Sequence, residues 1–163
     1  WRSILVKPTT HLSKLHFILQ KTMGWEGGHA HQFKVLGEYY GCSDPEWGDP
    51  TVNDERKLTL GQIASLNAKT FVYEYDFGDG WEHEIKIEKL LPTEKGRKYP
   101  FCTGGQLACP PEDCGGIWGY YDLLKAIKNP KHEDHDQMME WLGEDFDPNH
   151  FMAEEINRAI ARL

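Results

Sequence analysis

Residues 70–88 read TFVYEYDFGDGWEHEIKIE, and this stretch decides the fold because its pattern predicts a β-hairpin. Aromatic and β-branched residues alternate with polar residues on both sides of a Gly-Asp-Gly turn. A three-residue loop of Gly78, Asp79 and Gly80, which pairs Phe77 with Trp81, keeps each face of the hairpin uniform. One face then carries a ladder that predicts burial against helices: Phe71, Tyr73, Tyr75, Phe77, Trp81, His83, Ile85 and Ile87.

The opposite face of this hairpin is acidic. It is predicted to carry Glu74, Asp76, Glu82 and Glu84 together with Lys86. Like charges lie directly across from each other in this register, which costs stability unless solvent or a cation screens them. We interpret the acidic face as solvated, and a divalent cation bound to it is the alternative.

Apolar periodicity predicts the elements that precede the hairpin. Residues 12–23 have helical spacing, with Thr10 as the predicted cap and Gly24 as the terminator. The sequence HAHQFKVLG then alternates like a strand and places His29 and His31 on its buried face. Both histidines are therefore expected to face the core.

Helical spacing returns towards the C-terminus. Three helices are predicted there, over residues 120–127, 135–142 and 156–163. Asn149 is the predicted cap of the last one. Residues 38–56 and 92–119 are rich in Gly and Pro without an apolar period, so both are predicted to be irregular.

These elements predict an α+β fold, with a mixed or largely antiparallel sheet that contains a long β-hairpin and is packed by an N-terminal helix and three C-terminal helices. The 163 residues fit a single domain spanning residues 1–163. No apolar run reaches the length of a membrane span, so no membrane partner is expected. The chain opens at Trp1 inside a strand-like sequence, from which a trimmed N-terminus is expected.

Charge and cysteine content bear on partners and compartment. The net charge of −8 disfavours nucleic acid, although half of the 26 acidic residues lie in residues 38–55 and 132–147, which leaves the rest of the chain net positive. There is no dense basic stripe of the kind that DNA-binding domains carry, and a protein partner stays open. Four cysteines are too few for a disulfide scaffold, so we expect free thiols and a cytoplasmic location.

Histidines on buried faces form the first candidate site. His16, His29, His31 and His83 come from three elements that must pack together. We predict that His29, His31 and His83 bind zinc or a similar metal, with Asp79 as an orienting carboxylate. The alternative is that these histidines are core residues whose nitrogens find hydrogen-bond partners in the protein.

Cysteines form a second candidate site for zinc. Cys102, Cys109 and Cys114 lie in the irregular segment, which three thiolates and a fourth ligand would organise. Cys42 or a histidine is the candidate fourth ligand. The alternative is that the three thiols are small buried apolar groups.

Three carboxylates on rigid turns are the candidate catalytic residues. Asp79 lies between glycines, and Glu112 and Asp113 follow two prolines that restrict the backbone. Such carboxylates either cap backbone N–H groups or belong to a preorganised site. In the second case Glu112 or Asp113 would act as a general base.

Four stretches, LHFILQKTMGWEGGHAHQF, YEYDFGDGWEHEI, CPPEDCGGIWGY and FDPNHF, follow one another along nearly the whole chain. In these motifs the chain resembles the plasmid pRiA ORF-three-like domain family, whose members include proteins described as passenger or resolvase-like products of insertion elements. The resemblance implies an α+β fold and carries no assigned activity. It marks these residues as the family signature: His16, Trp25, His29, His31, Phe33, Tyr75, Asp76, Gly78, Asp79, Trp81, His83, Pro110, Pro111, Glu112, Asp113, Gly115, Gly116, Gly119, Tyr120, Asp147 and Pro148.

Three functions remain open from the sequence. The first is a cytoplasmic binding or adaptor domain associated with plasmids or mobile elements. The second is a metal-dependent hydrolase, including one that acts on phosphodiesters, with its metal on the inward histidines. The third is a DNA-binding accessory protein, for which a contiguous basic patch would be required.

Overall fold

The computed structural model of the protein describes residues 1–42, 49, 51–143 and 146–163. Within this part of the chain, five helices accompany two sheets. The strands are β1 (Arg2–Leu5), β2 (His31–Val35), β3 (Glu38–Gly41), β4 (Asn53–Asp54), β5 (Thr70–Tyr75), β6 (Trp81–Lys86) and β7 (Phe101–Gly105). The helices are α1 (Leu12–Met23), α2 (Leu60–Ser65), α3 (Gly116–Lys128), α4 (His135–Leu142) and α5 (Ala153–Ile160), with a 3₁₀ turn at Glu55–Lys57.

The larger sheet has five strands in the order β4-β3-β2-β5-β6, and β1 pairs with β7 in a second sheet. Neighbouring strands are antiparallel except for the parallel pair of β3 and β4. The predicted α+β class, with a long hairpin, an N-terminal helix and three C-terminal helices, is confirmed. In the described part of the chain, no helix has both the length and the apolar character that a membrane crossing requires.

The core lies between α1 and one face of the five-stranded sheet. Leu12 and Leu15 of α1 pack there with residues of the central strands, including Phe33 and Tyr73. Phe33 lies directly across from Tyr73, so the central strands meet through an aromatic pair at this level. Large aromatic side chains bury extensive apolar surface, which explains why the hairpin ladder dominates the packing.

The hairpin register differs from the sequence prediction. The last strand pair is Tyr75 with Trp81, which leaves a five-residue connection rather than the predicted three-residue loop. The predicted pair of Phe77 with Trp81 is therefore wrong, and Phe77 is exposed in the connection. Face membership is nevertheless preserved along both strands, because each pairing is displaced by two residues and side chains alternate with a period of two.

Irregular structure was overpredicted. β3 and β4 occupy parts of residues 38–56, and β7 lies within residues 92–119, where it pairs with β1 near residue 1. The segment 38–56, predicted to be irregular, also includes residues 43–48 and 50, which lie outside the described residues.

Two of the predicted helix caps are displaced. His11 rather than Thr10 occupies the N-cap of α1, and Met152 rather than Asn149 that of α5. The predicted terminator Gly24 does end α1, in the left-handed conformation.

Candidate functional site

The connection between β5 and β6 builds a rigid carboxylate at the edge of the sheet. Asp76 has a left-handed backbone with φ +55°, and its N–H donates to the carbonyl oxygen of Ala30 at 2.9 Å. The N–H groups of Gly78 and Asp79 donate to Oδ1 of Asp76 at 3.0 and 3.3 Å. Asp tolerates this backbone region because its side chain bonds to the residues that follow. The Asp76 carboxylate is thus held in place, with Oδ2 turned towards His29.

Asp76 was expected on the acidic face of the hairpin, and its position differs. The left-handed residue leaves the strand before the alternation reaches it, so Asp76 is buried on the side of His29. The acidic pair that does form across the strands is Glu74 with Glu82. Gln32 donates to the Glu74 carboxylate at 2.6 Å, which relieves part of that repulsion.

His29 lies between two carboxylates. Its Nδ1 is 3.8 Å from Oδ2 of Asp76, and its Nε2 is 3.2 Å from Oδ1 of Asp113. The side chain of Asp76 is 12% exposed, that of His29 35% and that of Asp113 71%. The group therefore extends from the protein interior at Asp76 to the solvent at Asp113. We call these three residues the His29 cluster. One ligand atom from each residue lies within 4.8 Å of the others, a combination that no other trio of His, Cys, Asp and Glu attains in the described part of the chain.

The segment that supplies Asp113, residues 109–116, is held against the hairpin by side-chain hydrogen bonds. Trp25 Nε1 donates to the carbonyl oxygen of Pro110 at 2.9 Å. The Glu112 carboxylate accepts from the Tyr75 hydroxyl at 2.5 Å and from the Glu26 N–H at 2.8 Å. We refer to this segment as the 109–116 loop, and these bonds set the position of Asp113 at its centre.

Asp79 holds the other end of the 109–116 loop. Its Oδ2 accepts from the N–H of Gly115 at 3.1 Å. Gly116 has φ +65°, and a Cβ at this position would overlap the carbonyl oxygen of Asp79. A Cβ on Gly119 would likewise overlap the carbonyl oxygen of Cys114. These glycines are needed because the backbones approach too closely for a side chain.

In the contact between Tyr75 and Glu112, the proton stays on the Tyr75 hydroxyl. Burial, followed by the hydrogen bond to Glu112, raises the pKa of Tyr75 to about 12. Tyr75 therefore remains a phenol that donates to Glu112 at neutral pH. Both Glu112 oxygens are engaged, so this predicted catalytic residue lies in the joint between hairpin and loop.

His31 and His83, predicted to bind metal together with His29, lie elsewhere. The His31 ring stacks on the His16 ring with centroids 3.6 Å apart, and its Nε2 is 2.9 Å from Glu55. His83 lies across from Tyr73 on β6 and meets the Trp25 ring edge-on. β5 separates β2 from β6, so the structure does not bring the three histidines together.

His16, His31, Glu55, Tyr73 and Gln20 form a second polar group inside the core, which we call the His16 cluster. The Tyr73 hydroxyl lies 2.8 Å from His16 Nδ1 and accepts from Gln20 at 2.8 Å. Burial, followed by the nearby His31, lowers the pKa of His16 to about 3. His16 is therefore neutral in the folded protein at neutral pH, and the cluster is a hydrogen-bonded part of the core.

The three predicted cysteine ligands point to different neighbours. Cys102 Sγ lies 3.6 Å from the carbonyl oxygen of Gly104, whereas Cys109 Sγ lies 3.3 Å from both Met23 and Arg2. Burial raises the pKa of Cys109, and burial together with Asp79 raises the pKa of Cys114 to about 11. Within the described residues, no cysteine belongs to a trio of ligand atoms that lie within 4.8 Å of one another.

Two cavities flank the 109–116 loop. The larger, of about 610 Å³, lies between α3 and α4, and Asp113 and Cys114 contribute to its wall. The smaller, of about 330 Å³, lies between the loop and the end of α1. Trp141 of α4 lines both cavities. Asp113 thus belongs both to the His29 cluster and to the wall of the larger cavity.

A family model described as plasmid pRiA4b ORF-3-like protein matches residues 1–155. The chain belongs to this family. It is 40% identical over 163 residues to the uncharacterized protein y4hQ of Sinorhizobium fredii (strain NBRC 101917 / NGR234), and the match covers 99% of this chain and 84% of that protein. The crystal structure of protein of unknown function MM3350 from Methanosarcina mazei Go1 is similar with a TM-score of 0.88 and 36% identity, over 95% of this chain and 88% of that one. These relatives carry no assigned activity.

Membership of the pRiA4b ORF-3-like family gives the signature residues a spatial meaning. Ten of them either form the His29 cluster or hold the 109–116 loop beside it: Trp25, His29, Tyr75, Asp76, Asp79, Glu112, Asp113, Gly115, Gly116 and Gly119. They come from three separate motifs in the sequence. Asp76 was not predicted as a cluster residue, although the Asp-Phe-Gly-Asp order that follows Tyr75 is a signal for an Asp side chain that bonds its own turn.

Proposed function

We propose that this protein is a metal-dependent hydrolase whose divalent cation is held by His29, Asp76 and Asp113. The observation that carries the proposal is the convergence of one imidazole and two carboxylates within 4.8 Å. Ligands about 2.1 Å from a tetrahedral zinc ion lie roughly 3.4 Å from one another. Because an imidazole offers one nitrogen to one ion, the distances to compare are those among one ligand atom of each residue, and these all lie within 4.8 Å of one another.

The donor set supports a catalytic rather than a structural ion. Structural zinc sites are closed by four protein ligands, whereas catalytic sites use three and keep a position open. The His29 cluster supplies three ligands, and its outermost member Asp113 is exposed and borders the larger cavity. Asp113 is therefore the cluster residue that a ligand in that cavity would contact.

The chemistry proposed is hydrolysis of an ester or phosphoester. A bound divalent cation polarises a substrate oxygen and lowers the pKa of water. Water then adds across the bond, one product takes the hydroxyl group and the other takes the proton, and nothing is oxidised or reduced. Asp79 and Glu112 act as positioning residues, because each holds the 109–116 loop that carries Asp113.

Metal binding tests the first half of the proposal. Protein treated with a chelator and dialysed is titrated with Mn²⁺ and with Zn²⁺ by calorimetry, and one ion per chain is expected. The Asp113→Asn variant should bind more than about 10-fold more weakly, since replacement of even an indirect partner of a metal costs that much. Asp136→Asn on α4 is the matched control and should bind as the parent does.

Competing interpretations of the cluster predict other results. If His29 only ties the two carboxylates together as an ion pair, Asp113→Asn lowers stability and the parent binds no metal. If the cysteines or the other histidines hold the metal, Cys114→Ser or His31→Gln abolishes binding and Asp113→Asn does not. Either result would overturn the assignment of the ion to the His29 cluster.

Turnover tests the second half of the proposal. The metal-loaded protein is assayed with p-nitrophenyl acetate and with bis(p-nitrophenyl) phosphate, and release of p-nitrophenol should require the metal and be lost in Asp113→Asn. Metal binding without release from either compound would contradict a hydrolase. The protein would then be a metal-containing binding domain, the second candidate, which the larger cavity favours.

Cellular context is part of the proposal. Four free cysteines support a reducing compartment such as the cytoplasm. The net charge of −8 disfavours a DNA-binding accessory role, which salt-dependent retardation of duplex DNA would instead support. An association with plasmids or mobile elements is carried by the family resemblance alone.

A further inference from the structure

The larger cavity has the dimensions of a small-molecule site. Its volume of about 610 Å³ is within the range of roughly 300–1,000 Å³ that such sites occupy. Leu123 and Ala126 of α3, both buried, form its base, and Met138 and Trp141 of α4 form the facing wall. Trp141 is 49% exposed, so its indole ring is available to a ligand.

The charged groups around this cavity are acidic. Asp113, Asp122 and Asp134 line it, and among the described lining residues none is Lys or Arg. Lys125 pairs with Asp122 at 2.7 Å, and among the ion pairs of the described residues the partners of Asp113 and Asp134 are histidines. Several carboxylates at the mouth of a cleft with apolar walls attract cations and repel anions.

The His132 ring lies beside the backbone and the carboxylate of Asp134. Its Nδ1 accepts the N–H of Asp134 at 3.2 Å, so that nitrogen carries no proton in this arrangement. The Asp134 carboxylate lies 3.7 Å from the same nitrogen and is half exposed. Asp134, the N-cap of α4, and the Trp141 ring lie seven residues or about two helical turns apart, and they therefore offer an anion and an aromatic face to one ligand.

We infer that the cavity between α3 and α4 binds an amphipathic organic cation, with its apolar body on Leu123, Met138 and Trp141 and its ammonium group near Asp134. The Asp134 carboxylate attracts the ammonium group, whereas a neutral molecule of the same shape gains only the apolar contact. This inference goes beyond the proposed function and does not depend on it. Binding itself does not require the metal.

A matched series of three probes tests the inference on chelator-treated protein. By calorimetry, 4-phenylbutylamine should bind about fivefold or more tightly than 4-phenyl-1-butanol, and 4-phenylbutyrate should bind least. Equal affinity for the amine and the alcohol, or preference for the carboxylate, would overturn the inference. Because no metal is present, the result is independent of whether the His29 cluster binds one.

Variants then locate the binding. Asp134→Asn keeps an equally good helix N-cap residue and should reduce the preference for the amine over the alcohol. Trp141→Ala should weaken the binding of both. Asp136→Asn, the same change two residues along α4 and outside the cavity lining, should leave both affinities unchanged. If Asp136→Asn had the same effect as Asp134→Asn, only the general charge would matter and the inference would fail.

Discussion

His29 and His31 are two residues apart, yet they end in opposite environments. His31 is stacked beneath His16 in the core, with Glu55 as a buried partner. His29 lies just outside the strand, one-third exposed, between the carboxylates of Asp76 and Asp113. The same side chain is thus part of the core at one position and a candidate ligand at the other. Burial and neighbours, rather than residue type, decide between the two roles.

Substitutions in the two clusters should therefore have different effects. The His16 cluster is closed, so a change there leaves buried polar groups without partners and lowers the free energy of unfolding. The His29 cluster opens to solvent, where water replaces a lost partner. We therefore expect stability to depend on the first cluster and metal binding on the second.

The largest expected effect comes from truncation of the two histidines. His31→Ala removes the stacking partner of His16 and leaves the buried Glu55 carboxylate unpaired, so the free energy of unfolding should fall by about 3 kcal/mol. His29→Ala should cost less than about 1 kcal/mol. Urea denaturation of both variants measures the difference. Equal losses would show that the two clusters do not differ as described.

The next effect is the dependence of stability on pH. Burial and His31 lower the pKa of His16 from 6.5 to about 3, so between these values the unfolded chain takes up a proton that the folded chain refuses. Stability is therefore full above about pH 6.5 and falls as the pH drops. Between pH 7 and pH 5 the loss from His16 should be about 2 kcal/mol. Burial also lowers the pKa of His83, which acts in the same direction.

Denaturation curves across this pH range check the prediction. His16→Gln should flatten the dependence by most of that amount, and His150→Gln, a change of an exposed histidine, should not alter it. A parent protein with constant stability from pH 7 to pH 5 would contradict a neutral buried His16.

The smallest expected effect is the difference in stability between two glycine-to-alanine variants, which distinguishes a steric clash from backbone strain. Gly116 and Gly80 have nearly equal φ values of +65° and +66°, but only Gly116 would place a Cβ against the Asp79 carbonyl. Gly116→Ala should therefore cost roughly 1–2 kcal/mol more than Gly80→Ala, as overpacking usually does. It should also weaken metal binding because the 109–116 loop moves. Thermal unfolding measures the stability of the two variants, and calorimetry measures their metal binding. Equal results for Gly116→Ala and Gly80→Ala would show that the loop accommodates the added Cβ.

Much of the fold could be predicted because its patterns are local. Alternation along β5 and β6 identified the buried face. This prediction remained correct although the loop length was wrong, because the register error was two residues and side chains alternate with a period of two. Strand β7 could not be predicted, because its hydrogen-bond partner is β1, about a hundred residues away in the chain. Gly and Pro content argues against a strand only when no such partner exists.

Most residues of the candidate site could be predicted from the sequence, but their arrangement could not. His29, Asp113, Asp79 and Glu112 were singled out from the sequence, and the structure places them around one joint. Asp76 was assigned to the wrong face, because alternation extends a strand until some residue leaves it. That residue is Asp76 itself, in a left-handed conformation stabilised by the N–H groups that follow.

The hairpin ladder, the N-terminal and C-terminal helices and the family could all be read from residue spacing along the chain. Which histidine faces solvent, and which carboxylates contact it, depends on the packing of distant segments. Three motifs separated by tens of residues converge there through side-chain hydrogen bonds from Trp25, Tyr75 and Asp79. Such bonds depend on distances in space, which spacing in the sequence does not encode.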